Sequence, residues 1–304
     1  MSSIEPQKIA ISGATGLVGT QLSSLLKSAG HAVVPMSRSN RGTNSDTILW
    51  DPSKGVENPE KLESVDAVVH LAGENIAGGR WTAASKERIR SSRIDGTRNL
   101  VQSLSKLQHR PKTLVCASAI GYYGDRGDEM LNESSAPGTG FLADVCRAWE
   151  REAMAAAEFG VRVVCLRIGV VLSPKGGALA KMLLPFKLGL GGIVGSGKQY
   201  WSWIGLNDLV RAIAFCLQNE AVSGAVNAVS PQAMTNRDFT KTVGSVLRRP
   251  TIFPLPAFMA RLVLGEMADE LLLSSSRVSP DQLVRHGFVF EQPDLKSCLE
   301  HELT

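Results

Sequence analysis

The segment Lys8-Ile9-Ala10-Ile11-Ser12-Gly13-Ala14-Thr15-Gly16-Leu17-Val18-Gly19 decides how this chain is read. A β-branched run stops at three spaced glycines and passes directly into an apolar-periodic stretch at 17–28, the order strand, turn, helix. In that order each glycine has a task. Gly13 permits the tight turn, Gly16 lets backbone approach a pyrophosphate at the positive end of a helix, and Gly19 allows the helix to pack closely on the strand. Thr15 adds a hydroxyl donor, and Leu17 and Val18 complete the candidate contacts of this turn.

A second strand expected at 32–36 ends in Ser37-Arg38-Ser39, where an NAD-selective turn usually carries an acid for the ribose diol. A guanidinium and a hydroxyl suit a 2′-phosphate instead, through charge-assisted bidentate hydrogen bonds, so the expected cofactor is NADP(H). The competing reading makes Arg38 an ordinary solvated loop arginine.

Outward from this turn, strand patterns at 67–71, 113–118 and 161–168 alternate with helical patterns at 86–105 and 142–159, which predicts an α/β fold with a doubly wound parallel sheet. After Leu172 the texture changes. Two glycine-rich stretches bracket an apolar segment, an aromatic run follows at 200–203, and helix, strand and helix are expected at 207–218, 225–228 and 236–247, the last opened by Thr235. Residues 250–304 read as mostly helical. The expected organisation is a Rossmann domain at 1–172 with return elements in 200–235, and a smaller lobe from 173–199 and 236–304. Asp208 reads as a cap of its helix.

The bulk composition restricts the alternatives. At 304 residues, 43% apolar and 20% charged, the chain has ordinary globular composition. A net charge of +4, without a dense basic run, argues against nucleic acid as a partner. The polar start of the chain lacks the apolar stretch of a signal peptide, and apolar runs such as 161–172 fall short of a bilayer span. A cytoplasmic protein, monomer or homodimer, without membrane association is expected. Five scattered cysteines and five unpaired histidines suggest neither a disulfide framework nor a metal site.

Several landmarks then match a known group in order. Asp66-Ala67-Val68-Val69-His70-Leu71-Ala72-Gly73, Ser118-Ala119-Ile120-Gly121-Tyr122-Tyr123-Gly124 and Trp203-Ile204-Gly205-Leu206-Asn207-Asp208-Leu209 resemble the extended short-chain dehydrogenases, which include nucleotide-sugar epimerases and dehydratases. More closely, Gly73-Glu74-Asn75-Ile76, Ser92-Arg93-Ile94, Trp149-Glu150 and Met182-Leu183-Leu184-Pro185-Phe186 resemble an atypical epimerase-family subgroup with a small extra C-terminal domain and a human representative. The resemblance implies cofactor contacts on the glycine turn, Ser37, Arg38, Leu71, Ala72, Gly73, a position near Arg88, Arg93, Ser118, Arg167 and Ile168. It also implies a C-terminal lobe from roughly residue 251. Some relatives carry a cell-division or plastid-division label that no residue here supports.

The wider group transfers hydride with the help of a tyrosine and a lysine at i and i+4 on one helix face, the lysine lowering the phenol's pKa. No such pair exists here: Tyr122, Tyr123 and Tyr200 are followed four residues on by Arg126, Gly127 and Ile204. Where the pair belongs, the helix offers Phe141, Leu142, Val145 and Cys146. Ser118 stands at the catalytic serine position, suited to orient a substrate carbonyl or the nicotinamide amide.

Two functions therefore stay open. The first is a reductase-like or epimerase-like oxidoreductase acting on a small carbonyl or sugar-type substrate. Its substitute proton donor would be Tyr122, Tyr123 or Glu74, and Glu74, Asn75 and Trp201 are its candidate substrate contacts. The second is a non-catalytic NADP-dependent sensor or partner-binding protein. Each candidate has a plainer reading: packing for the tyrosines, capping for Glu74 and Asn75, a core strand for Trp201, and a salt bridge to the glycine-rich loops for Arg167.

Overall fold

The computed structural model describes residues 5–38 and 46–303; Ser39 and residues 1–4, on which expectations above rest, lie outside the described residues. The first half runs β1 (Lys8–Ser12), α1 (Leu17–Ser28), β2 (Ala32–Ser37), β3 (Ile48–Asp51), β4 (Gly55–Val56), β5 (Ala67–His70), α2 (Ala83–Ser105), β6 (Thr113–Ala119), β7 (Met130–Leu131), α3 (Phe141–Met154) and β8 (Arg162–Ile168). The second half adds β9 (Val170–Leu172), α4 (Gly177–Lys187), β10 (Tyr200–Trp201), β11 (Trp203–Gly205), α5 (Leu206–Gln218), β12 (Gly224–Ala228), β13 (Met234–Thr235) and α6 (Asn236–Leu247). The chain finishes with α7 (Ala257–Leu264), α8 (Glu266–Ala268), β14 (Arg277–Val278), α9 (Asp281–Arg285) and α10 (Leu295–Leu303).

Eight strands form one sheet in the order β12-β8-β6-β5-β1-β2-β3-β4, parallel except for the β3–β4 pair. Strand order reverses beside β1, with β2 on one side and β5 on the other. Their carboxyl ends, Ser12 and His70, meet at this switch point, where open α/β sheets bind ligands.

Side-chain alternation explains why both sheet faces are dry. Ile9 and Ile11 join Leu22 and Leu26 of α1 and Leu209 and Ile213 of α5 on one face. Ala10 joins Leu100 and Leu104 of α2 and Trp149 and Ala153 of α3 on the other. A fully buried leucine or isoleucine stabilises by about 1.5–3 kcal/mol, so these two layers dominate the stability of the domain. Local signals agree with the packing. Thr82 and Ser85 cap α2 reciprocally, and the Thr235 hydroxyl accepts the Asp238 amide at the start of α6.

A separate core of Leu172, Leu183, Phe186, Trp201, Trp203, Phe239 and Leu299 holds the smaller lobe. The segment β11–α5–β12 returns to the main sheet, and Leu283 and Phe288, from the C-terminal stretch, pack on the main core and not on the lobe. Among the described residues no helix is long and apolar enough to cross a membrane.

Two sequence expectations need correction. The sequence pattern does not predict the strand β3, because four residues joined to β2 by two register pairs carry too little periodicity. Residues 250–304 are mostly helical as expected, with one short strand, β14, pairing with β7. Asp208 does not cap α5, which Gly205 opens without a side-chain bond. Its buried carboxylate accepts the amides of Glu291 (3.0 Å) and Gln292 (2.9 Å) and pairs with Arg211 at 2.6 Å, tying the C-terminal segment to α5.

Candidate functional site

The glycine turn is built against the end of β5. Gly13 has φ +71°, and a Cβ there would lie 3.0 Å from both the Ala72 nitrogen and the Leu71 carbonyl carbon. A Cβ on Gly19 would come within 2.2 Å of the Gly13 carbonyl oxygen, so the first turn of α1 presses onto the loop itself. The N-terminus of α1 has no side-chain cap and no acid in its first turn, leaving its backbone donors and positive dipole end for an outside anion. Thr15 is exposed beside it, and Leu17 and Val18 pack their side chains on the core, leaving only backbone to face outward.

A buried polar chain fixes this turn from beneath. The Ser12 hydroxyl accepts the Leu71 and Ala72 amides (3.1 and 3.3 Å) and bonds His70 Nδ1 at 2.7 Å, while His70 Nε2 meets the Thr97 hydroxyl at 3.1 Å. Burial lowers the His70 pKa from 6.5 to about 4. The imidazole is therefore neutral in the folded protein, whereas the unfolded chain takes up a proton below pH 6.5. Stability is complete above pH 6.5 and is lost as pH falls toward 4, by up to about 3 kcal/mol. Urea unfolding between pH 7.5 and 4.5 should show this loss in the wild type and a distinctly shallower one in His70→Gln; parallel profiles would remove His70 as its source.

Arg93 is placed over the same switch point. A Cβ on Gly73 would lie 3.3 Å from its guanidinium carbon, and the Trp149 ring sits 5.2 Å away. Arg93 donates to the Ile89 carbonyl and the Ser92 hydroxyl, and among the described residues no carboxylate pairs with it. Burial lowers its pKa, the mark of a desolvated cation that a bound anion would relieve. Arg88 is exposed and reaches Glu74 at 3.5 Å. Glu74 and Asn75 line a cavity of about 140 Å³ with Arg80, Trp81 and Arg88. The Asn75 side chain is turned back onto the Ala77 amide. Arg38 directly follows β2 and is exposed; hydrogen bonds from Ser53 do most to lower the Asp51 pKa, and the charge of Arg38 adds to it. Asp51, the carboxylate at the neighbouring strand end, is thereby occupied by Ser53.

At the end of β6 the structure assembles a second cluster. The Ser118 hydroxyl donates to Glu150 at 2.7 Å, and Glu150 takes a bidentate ion pair from Arg167, both bonds 2.8 Å. Burial works against the Arg167 charge, but the hydrogen bonds and attraction of Glu150 outweigh it and raise its pKa. The same guanidinium lies 3.5 Å from the Tyr122 ring centre and bonds the Tyr123 hydroxyl at 2.9 Å. Tyr123 also donates to Asn227 at 2.7 Å. Phe141, Leu142, Val145 and Cys146 stand buried in the first two turns of α3, and Glu150 follows Cys146 one turn later.

Four residue roles expected from sequence change with this geometry. Tyr123 is fully buried with its proton given to Asn227, out of reach of a substrate oxygen, and burial pushes its phenol up to about 12. Trp201 is 7% exposed, packs on Phe239 and gives its N–H to the Leu272 carbonyl, so it belongs to the lobe core. Arg167 spends its guanidinium on Glu150 and Tyr123, not on an incoming phosphate or the glycine-rich loops. Ser118, donating to Glu150, has acceptor lone pairs to offer a ligand and not a proton for a carbonyl. Ile168 closes β8 half-buried beside Ala119.

Sequence reasoning missed His70, Glu150 and Asn227. The signal for Glu150 was available: Arg167 follows the apolar run Val163–Leu166 inside β8, and a guanidinium buried there is best satisfied by a carboxylate. The cysteines are buried free thiols, and among the described residues no group of three or more His, Cys, Asp or Glu is placed to hold a metal ion.

Residues 9–228 match the NAD dependent epimerase/dehydratase family, and residues 255–302 match a domain of unknown function, DUF1731. The chain is 43% identical to epimerase family protein Mb2239 of Mycobacterium bovis over 97% of both chains. It is 34% identical to human epimerase family protein SDR39U1, covering 96% of this chain and 98% of that one. A crystal structure of human SDR39U1 (isoform 2) with NADPH superposes with a TM-score of 0.88 at 33% identity, over 97% of this chain and 98% of that one.

Proposed function

Because the chain belongs to the NAD-dependent epimerase/dehydratase family, we propose that it binds NADP(H) at the β1–β5 switch point and interconverts a carbonyl and an alcohol on a small, carbonyl-bearing or sugar-type substrate. The observation that carries this reading is the largely buried Arg93 guanidinium, with no carboxylate paired to it among the described residues, beside a glycine turn that leaves no room for a Cβ at Gly13 or Gly19. The NADPH in the human relative's crystal structure supports the cofactor class. The residues fit the group: the turn at 13–19 and Arg93 would hold the pyrophosphate, and Ser37 and Arg38 the 2′-phosphate.

When bound, the nicotinamide supplies or accepts the hydride. The chain's own part is to orient and to move a proton. Ser118, its proton directed at Glu150, presents an acceptor for a substrate hydroxyl or the carboxamide N–H. Tyr122, half-buried on the turn directly after β6, is the phenol left to exchange a proton with the substrate oxygen. Glu74, on the loop after β5, lines a cavity with Asn75 and Arg88.

A second reading, an NADP-dependent sensor or partner-binding protein without turnover, is favoured by one observation: none of Phe141, Leu142, Val145 and Cys146 on α3, where the family resemblance puts the proton-transfer pair, carries a phenol or an amine. Titration with NADPH and NADH by fluorescence tests the shared premise. Charge-assisted hydrogen bonds are worth about 1.5–3 kcal/mol, so Arg38→Ala should weaken NADPH about 10- to 100-fold and NADH hardly at all. Equal weakening of both would reject the 2′-phosphate assignment. Oxidation of bound NADPH across aldehydes, ketones and keto-sugars then separates enzyme from sensor.

A further inference from the structure

The loop between β5 and α2 gathers positive charge that the turn at 13–19, Arg93 and Arg38 leave unused. Its cavity of about 140 Å³ is lined by Glu74, Asn75, Arg80, Arg88 and the side-chain-free Gly78 and Gly79. Lys181 of α4 brings an ammonium to the same loop, donating to the Ala77 carbonyl. Three cations thus stand about one carboxylate. Glu74 pairs with Arg88 at 3.5 Å, and with both side chains exposed this belongs to the weak class of surface ion pairs.

Arg80 has a seat in the fold and no carboxylate to go with it. Gly265, at φ +63°, turns the chain between α7 and α8, and a Cβ there would come within 2.9 Å of Arg80 Nε, so this turn makes room for the arginine. The adjacent Glu266 is taken by Lys86 at 2.7 Å, and among the described residues no carboxylate pairs with Arg80. The loop around it is fixed. Trp81 donates its ring N–H to the Ile76 carbonyl at 2.7 Å and packs edge-on against Phe141, Asn75 Oδ1 accepts the Ala77 amide, and the Thr82–Ser85 capping box closes the far end. With its oxygen so occupied, the Asn75 amide keeps its N–H groups to donate. A guanidinium beside amide donors on a fixed bend suits a carboxylate or a phosphate.

The cavity adjoins the switch point through the chain itself. Gly73, the neighbour of Glu74, stands against the Arg93 guanidinium, and the Glu74 amide donates to the Ser92 hydroxyl at 3.0 Å. The charge of Arg93 also reaches the Cys146 thiol, which is in contact with the Ser118 hydroxyl. A volume of about 140 Å³ is well short of the roughly 300–1,000 Å³ that encloses a whole drug-sized ligand, so the cavity takes one group of a larger molecule. We propose that it is the anion subsite for the substrate: the carbonyl or alcohol carries a carboxylate or phosphate that Arg80 holds, with Arg88 and Lys181 adding attraction at longer range. This rests on the site reading above for the reaction, though not for the binding of the anion.

The test needs binding and no turnover. Protein saturated with NADP+, so that the dinucleotide site is filled, is titrated calorimetrically at one ionic strength with glycerol 3-phosphate against glycerol and with 3-hydroxybutyrate against 2-butanol. At least one anion should bind about 10- to 100-fold more tightly than its neutral counterpart, the size of a charge-assisted pair, and the tighter of the two names the anion. Arg80→Gln should abolish that difference and Arg80→Lys should keep part of it. NADP+ affinity and melting temperature should stay at wild-type values in both, because the side chain is exposed. Wild type without a preference for either anion, or a preference that survives Arg80→Gln, overturns the proposal. So does an Arg80→Gln protein whose NADP+ affinity falls by the same factor, since the cavity then serves the cofactor's phosphates. A wild type that fails to bind NADP+ and still holds glycerol 3-phosphate through Arg80 would instead refute the cofactor reading and leave the anion subsite standing.

Discussion

Tyr122→Phe is expected to lower turnover by at least about 100-fold while leaving NADPH affinity within about twofold, the usual size of a lost positioned acid–base group. The expectation follows by elimination among three phenols. Tyr123 is fully buried with its hydroxyl bonded to Asn227 and Arg167, and burial raises it to about 12. Tyr200 belongs to β10, paired with β13 inside the lobe. Tyr122 alone rises from the turn after β6, four residues beyond Ser118, with Arg167 against its ring. Single-turnover oxidation of bound NADPH is the measurement, because it separates the chemical step from cofactor binding. Tyr123→Phe serves as the control and should cost stability and little turnover. If Tyr122→Phe keeps full activity, the proton comes from elsewhere and Glu74 becomes the next group to change.

Glu150→Ala should destabilise the fold by about 3–5 kcal/mol, since it strands a buried guanidinium. Arg167 is 3% exposed and receives both oxygens of Glu150, so no water can take the carboxylate's place without opening the contact between α3 and β8. Against a typical total of about 5–15 kcal/mol, this single change removes a large share of the stability. The companion Glu150→Leu/Arg167→Met removes both charges and should recover most of the loss, because a matched apolar pair carries no desolvation penalty. Urea midpoints of the three proteins decide it. A loss below about 1 kcal/mol in Glu150→Ala would place the pair in the weak class of surface ion pairs. The pair also sets the direction of the Ser118 proton, so the double variant should fold and yet bind ligand differently at Ser118.

How far the sequence could be read depends on the range of the interactions involved. The order strand, glycine turn, helix is local, and the residues that enforce it are neighbours in the chain. That is why the turn at 13–19, the limits of α1 and α6, and the parallel alternating sheet were legible before any coordinates. The steric demand on Gly19 is of the same kind, set by Gly13 and Ala14, whereas Gly13 meets Leu71 and Ala72 of the loop after β5.

The rest was settled by tertiary contact. Nothing local marks Ser118 as a donor to Glu150, 32 residues away, or Trp201 as core and not surface. A side chain's chemistry is set by its desolvation and by the charge opposite it, and both are properties of the packed whole. The sequence by itself determined the fold class, the family and the glycine turn, because hydrophobic period and backbone sterics act within a few residues. Only the tertiary structure decided which tyrosine is fully buried, which arginine spends its charge on a carboxylate and where Asp208 is tied, because those follow from which surfaces the packing covers.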